Sequence, residues 1–142
     1  MYLKRVIPSL LISSRRLIKS IKFQEDNYVG DPINAIKIFN EKEVDELFII
    51  DKNISINSIE PDYEYIKQLT GECFMPICYG GGISSLEVAN KIFDTGLEKI
   101  LLQNAAIKDP QIIYNLTKVY GSSSIALSVD VRKNSSGNYK IF

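Results

Sequence analysis

Two kinds of segment alternate along the chain. Short apolar runs, several of them β-branched, occupy residues 5–12, 46–51, 74–79, 99–103 and 125–130. Between them apolar residues recur at helical spacing: Ile33, Ile36 and Phe39; Tyr65, Ile66 and Leu69; Leu86, Ala89, Ile92 and Phe93; Ile113, Leu116 and Tyr120. The helices have readable starts. Asp31 caps with Pro32 in the first position, Pro61 opens the second, Ser84 and Glu87 have capping-box spacing, and Asp109-Pro110 repeats the cap-then-proline device. Gly71 and Gly121 are the stops. The strand–helix unit recurs about every 25 residues, the mark of repeated βα units. Strands apolar throughout are covered on both faces, so the sheet is expected to be parallel. That leaves a doubly wound open sheet or part of a (β/α)8 barrel.

Length narrows the second option. A whole barrel takes roughly 250 residues, and this chain of 142 supplies a little more than half. Beyond Asp130 the segment Ser136-Gly137-Asn138 reads as the turn of a hairpin.

Composition removes whole classes of chemistry. There is no histidine, so Ser-His and Cys-His nucleophile pairs and histidine-based metal sites are excluded. Acid–base work falls to carboxylates, Lys, Tyr or Cys. Lys+Arg and Asp+Glu both number 17, and this balance steers the protein towards neither nucleic acid nor an anionic membrane. Cys73 and Cys78 read as reduced thiols on opposite faces of a strand, with neither a metal nor a cofactor expected. The amino-terminal stretch lacks a signal-peptide cleavage pattern and no segment reaches membrane-helix length, so a cytoplasmic location is expected.

The candidate chemistry gathers at strand ends. Gly80-Gly81-Gly82 follows an apolar strand and precedes a capped helix. Three glycines exceed what a turn needs. Glycine lets a ligand touch the backbone, and a helix start offers unpaired N–H groups, so phosphate contact is favoured over a bare turn. Gln103-Asn104-Ala105-Ala106 ends the next strand and could complete the cradle. Asp51 and Asp130 close apolar strands, at the edge where parallel sheets bind ligands. Each reads equally as a general acid or base and as a turn former. Arg5, Glu46 and Lys99 begin strands and would meet at the opposite face, where a solvated ring of charges is the plainer reading.

These motifs together resemble the cyclase subunit of imidazole glycerol phosphate synthase, the HisF family of histidine biosynthesis. The resemblance runs over the whole chain. It is carried by Lys4-Arg5-Val6-Ile7-Pro8, Lys19, Gly30-Asp31-Pro32, Asp45-Glu46-Leu47 with Asp51, Gly80-Gly81-Gly82-Ile83, Asn104-Ala105-Ala106 and Asp130. It implies a (β/α)8 TIM-type barrel, with residues 1–142 a single N-terminal part comprising the first half and strand five. It implies a substrate with a phosphate at each end, and ammonia delivered through the barrel by a glutaminase (glutamine amidotransferase) partner docked at its bottom. By resemblance, Lys19 sits on a mobile loop over the site and Asp51 and Asp130 belong to the active site. The glycine loop with Gln103 and Asn104 holds one phosphate. Arg5, Glu46 and Lys99 form three members of an ammonia gate, the fourth being a glutamate of the second half.

Two departures stand out. The family's catalytic pair is two aspartates, and Leu11 stands at the strand-one position. Gln103 stands where the family usually has asparagine. Leucine cannot move a proton, so the resemblance implies a specialised paralogue. Relatives of that kind occur in bacterial surface-sugar pathways, where ammonia converts a sugar substituent to an amidine. A true histidine-pathway cyclase and a non-catalytic phosphate-binding half barrel are the alternatives.

Overall fold

The computed structural model describes residues 4–21, 25–57 and 59–141. In chain order, β1 (Ser9–Ser13), β2 (Arg16–Ile21) and β3 (Glu25–Gly30) precede α1 (Pro32–Glu41) and β4 (Leu47–Asp51). Then come α2 (Lys52–Asn57), α3 (Tyr63–Glu72), β5 (Ile77–Gly80), α4 (Leu86–Phe93) and β6 (Lys99–Leu102). The chain continues with α5 (Asn104–Lys108), α6 (Gln111–Tyr120), β7 (Ile125–Leu127) and the hairpin strands β8 (Val131–Lys133) and β9 (Tyr139–Ile141).

One seven-stranded sheet has the order β3-β2-β1-β4-β5-β6-β7. From β1 to β7 every pairing is parallel, as the apolar strands required. The architecture is α/β, a partial (β/α)8 barrel. Alternation along the strands sorts the side chains into two faces. Leu10, Ile12, Leu47, Ile49, Ile77, Tyr79, Ile100 and Leu102 pack with Ile36, Ile66, Leu69, Ile92 and Leu116 of the helices in one core. The other face carries in-register rows. One row runs Ser9, Phe48, Cys78, Lys99, and the next runs Leu11, Ile50, Gly80, Leu101, Ala126.

Several local expectations shift. Asp31 caps α1 with Pro32 inside it, as read from sequence. Asp62 rather than Pro61 sets the start of α3, accepting from the N–H of Tyr65. Ser85, not Ser84, caps α4. Asp109 accepts from the N–H of Gln111, but Pro110 lies just outside α6. The strand expected at 74–79 begins only at Ile77, because Cys73 ends α3 and Phe74 to Pro76 turn the chain. Cys73 and Cys78 therefore do not share a strand, and both are free thiols. The hairpin beyond Asp130 is present as β8 and β9.

The antiparallel hairpin of β2 and β3 had no sequence signal. The Ser14-Arg15 turn that joins β1 to β2 has positive φ at both residues, 50° and 61°, without a glycine to ease it. Tertiary contacts offset that strain. Arg15 Nη2 meets Asp62 Oδ2 at 2.6 Å, its guanidinium lies 5.1 Å from the Tyr65 ring centroid, and its carbonyl accepts from Tyr65 Oη. A second tie joins Lys52 Nζ to Asp26 Oδ1 at 2.6 Å.

The three glycines are each demanded by neighbours. A Cβ on Gly80 would lie 3.0 Å from the Leu101 Cβ. Gly81, at φ 133°, would place one 2.6 Å from the Asp51 carbonyl oxygen. Gly82, at φ 67°, would collide with Ile54 Cγ2. Gly71 has open space. Gly82→Ala is therefore expected to lower stability by about 3 kcal/mol, whereas Gly71→Ala, inside α3, should raise it by about 0.5 kcal/mol. Urea unfolding of the two variants beside the parent measures both.

Candidate active site

At the carboxyl ends of β4, β5, β6 and β7 a cavity of about 640 Å³ opens. Gly81, Gly82, Ser84 and Ser85 form one wall, and Gln103, Asn104 and Lys108 another. The glycine backbone and the start of α4 thus face the segment around Asn104, the two halves of the cradle expected from sequence. Apolar side chains such as Ile54, Ile83 and Ile112 complete the lining.

Asp130 lies just past β7 and accepts a hydrogen bond from Gln103 Nε2. Gln103 occupies the cap position of α5 without capping it, so its amide is free to reach across. One residue therefore joins the cavity wall to the candidate acid–base group. Leu11 lies in the inner row with Ile50, Gly80 and Leu101, and presents hydrocarbon to the face that bears Asp130's partner Gln103 above it.

Asp51 is not brought to that group. It pairs with Ile12 and follows Leu47 and Ile49 in alternation, which turns it to the helix-covered side, where it is 7% exposed. Its Oδ1 accepts from the N–H of Asn53. Its carboxylate turns the chain into α2, and its backbone backs Gly81. Lys19 lies in β2 opposite Asn27, on the exposed side of a hairpin where a loop was expected. The hairpin ties through Arg15 and Asp26 were missed by sequence reasoning, because neither has a local signature.

At the opposite end the charged trio does assemble. Glu46 is 2% exposed, with Oε1 2.7 Å from Lys99 Nζ and Oε2 3.3 Å from Arg5 Nη2. A buried carboxylate is tolerable because each oxygen has its own cation. Cys78, the register partner of Lys99, is pushed up to about 12 by burial first and the Glu46 charge second, against the pull of Lys99. It stays a neutral thiol on the inner face.

Burial also raises the Asp51 carboxyl above the usual range, helped by Asp62 and opposed by the N–H groups of Ile54 and Asn53. The folded value thus exceeds the unfolded 3.8. The Asp51 contribution is fully present below that value and is lost as pH rises through the raised one. Asp51→Asn is expected to gain stability relative to the parent as pH rises above the unfolded value of 3.8. Unfolding free energies across that range measure it, and a pH-independent difference would contradict the desolvation of Asp51.

Comparison with known proteins agrees with this geometry. The family model described as histidine biosynthesis protein matches residues 5–142. A Pseudomonas aeruginosa protein provisionally named imidazole glycerol phosphate synthase subunit hisF2 is 52% identical over 139 residues, covering 98% of this chain and 55% of that protein. A Vibrio vulnificus protein provisionally named subunit hisF3 is 47% identical over 94% of this chain and 52% of its own length. Subunit HisF of Chloroherpeton thalassium is 32% identical over 100% of this chain and 56% of its own length. The chain spans about half the length of the curated relatives it matches. Matched over nearly all of its residues, the chain belongs to the histidine biosynthesis protein family.

Proposed function

We propose that this chain is the N-terminal part of a HisF-like, ammonia-using synthase subunit that works with a glutaminase partner on a phosphorylated or nucleotide-linked sugar. It is a specialised paralogue whose product is an amidine of a surface sugar. The single observation that carries the reading is the polarity of the inner face. It has a closed ion-paired mouth at Arg5, Glu46 and Lys99 and a polar rim at Gln103 and Asp130. Between them lie the hydrocarbon of Phe48, Leu11, Ile50 and Leu101 and the neutral Cys78. Such a lining suits neutral ammonia and disfavours ammonium, since an unpaired cation there would lose its hydration.

Each residue has a role in this reading. Displacing Arg5 or Lys99 from Glu46 opens the mouth. The glycine loop and Asn104 hold a substrate phosphate against the start of α4, and Lys19 on its hairpin closes over the substrate. Ammonia adds to the carbonyl carbon of a sugar substituent at the rim, and the Asp130 carboxylate passes protons from the adding nitrogen to the oxygen, whose bond to carbon breaks as it leaves as water and the amidine C=N forms. Leu11 supplies no carboxylate from β1 for a ring closure that needs an acid and a base.

The relatives named imidazole glycerol phosphate synthase subunit HisF favour a second reading, a true histidine-pathway cyclase. Ammonia-dependent turnover of that pathway's cyclase substrate separates the two, using the protein in its natural full-length form beside Leu11→Asp. The specialised reading expects no turnover by the parent and a gain in Leu11→Asp of roughly 100-fold over background. Turnover by the parent would establish the cyclase instead. Silence in both, from a folded protein, would point to a different substrate or to no catalysis, and phosphate binding would separate those two.

A further inference from the structure

The cavity at the carboxyl ends of the strands is larger than one phosphate needs. Pockets for whole organic ligands run from about 300 to about 1,000 Å³, and this one is about 640 Å³. It also has two ends. Ile50, Gly80 and Leu101 line the inner end, on the face of β4, β5 and β6 that Gln103 and Asp130 rim. Val88 of α4 and Ile112 and Asn115 of α6 line the outer end, a crevice between those two helices. The glycine loop joins β5 to α4 and so runs from one end to the other. A substrate that stopped at a phosphate on this loop would leave the crevice to water.

The charges around the cavity are unequally engaged. Glu60, Lys108 and Asp109 all line it. Glu60 has Lys91 at 3.7 Å, and Asp109 accepts from the N–H of Gln111 at 3.0 Å. Lys108, in the last turn of α5, has no ion pair among the described residues. Both acids have partners and the lysine does not. Asn104 and Lys108 stand at i and i+4, on one face of α5, and both line the cavity. An amide and an ammonium one helical turn apart suit two linked phosphates better than one.

We propose that the substrate is a nucleoside diphosphate derivative of the sugar, an inference that rests on the function proposed above and narrows it. One phosphate lies on the glycine loop beside Asn104, and the second meets the Lys108 ammonium. The nucleoside enters the crevice between α4 and α6. There Leu86, Val88 and Ile112 offer hydrocarbon to the flat face of a base, and Asn115 offers an amide to its edge. The sugar then points to the inner end, where Asp130 works. A prenyl diphosphate has the same anionic head, but its chain has nothing to give Asn115.

Calorimetry on the protein in its natural full-length form tests this. The ligands are UDP, CDP, GDP and ADP beside inorganic phosphate, pyrophosphate and farnesyl diphosphate. One of the four nucleotides is expected to bind about tenfold more tightly than pyrophosphate. Lys108→Ala weakens that nucleotide about tenfold, Lys108→Arg retains it, and neither changes the affinity for inorganic phosphate. Asn115→Ala weakens it about threefold and leaves pyrophosphate binding alone. Lys108 and Asn115 are both exposed, so the variants keep the fold, and melting temperatures check this. Pyrophosphate as tight as every nucleotide, farnesyl diphosphate tighter than all four, or a nucleotide indifferent to Lys108→Ala overturns the inference and leaves the proposed function standing. No affinity for any of these ligands overturns both.

Discussion

Strand parity in a parallel sheet aims every group that matters in this chain. Five strands lie in register from β1 to β7, and each alternates between a helix-covered face and an inner face. A one-residue slip in any strand would exchange the two sets. The slip is prevented by the core itself. Ile12, Ile49, Ile100 and Leu102 are almost wholly removed from water beneath the helices, and moving them to the inner face would forfeit about 25 cal/mol per Å² of apolar burial. The hydrophobic side thereby fixes the aim of the polar side.

The inner face spends polarity only at its two ends. At the amino ends of the strands Glu46 is matched by Arg5 and Lys99. At the carboxyl ends Gln103 is matched by Asp130. The residues between are hydrocarbon, glycine or a thiol that stays protonated. Buried charge is costly unless paired, and this arrangement confines charge to positions where pairing is available. The same accounting explains the glycine loop. Gly81 and Gly82 let the chain turn tightly over Asp51 and Ile54, and that close turn is what brings backbone to the cavity wall.

Much of this was legible in the residues. The apolar strands, their helical intervals, the Asp31-Pro32 start and the Gly121 stop were all local patterns, and local patterns survive folding when the core rewards them. The glycine triplet was legible as a backbone exposed for a reason, though its demand by Leu101, Asp51 and Ile54 was not. Strand ends moved by a few residues because capping depends on the orientation a side chain finds, as with Ser85 in place of Ser84. The position of Asp51 at a strand end is a sequence fact, while the face it takes depends on the register of β4 against β1.

Sequence alone therefore determined the βα repeat, the parallel sheet and the residue types at both strand ends, since these follow from periodicity and backbone stereochemistry. Only the tertiary structure decided the β1–β2 hairpin, whose strained Ser14-Arg15 turn is held by Asp62 and Tyr65 from nearly fifty residues away. It likewise decided that Glu46, Arg5 and Lys99 form one cluster and that Gln103 grips Asp130. Each of these rests on contacts between distant segments, and only packing of the segments sets the distance and direction of such contacts.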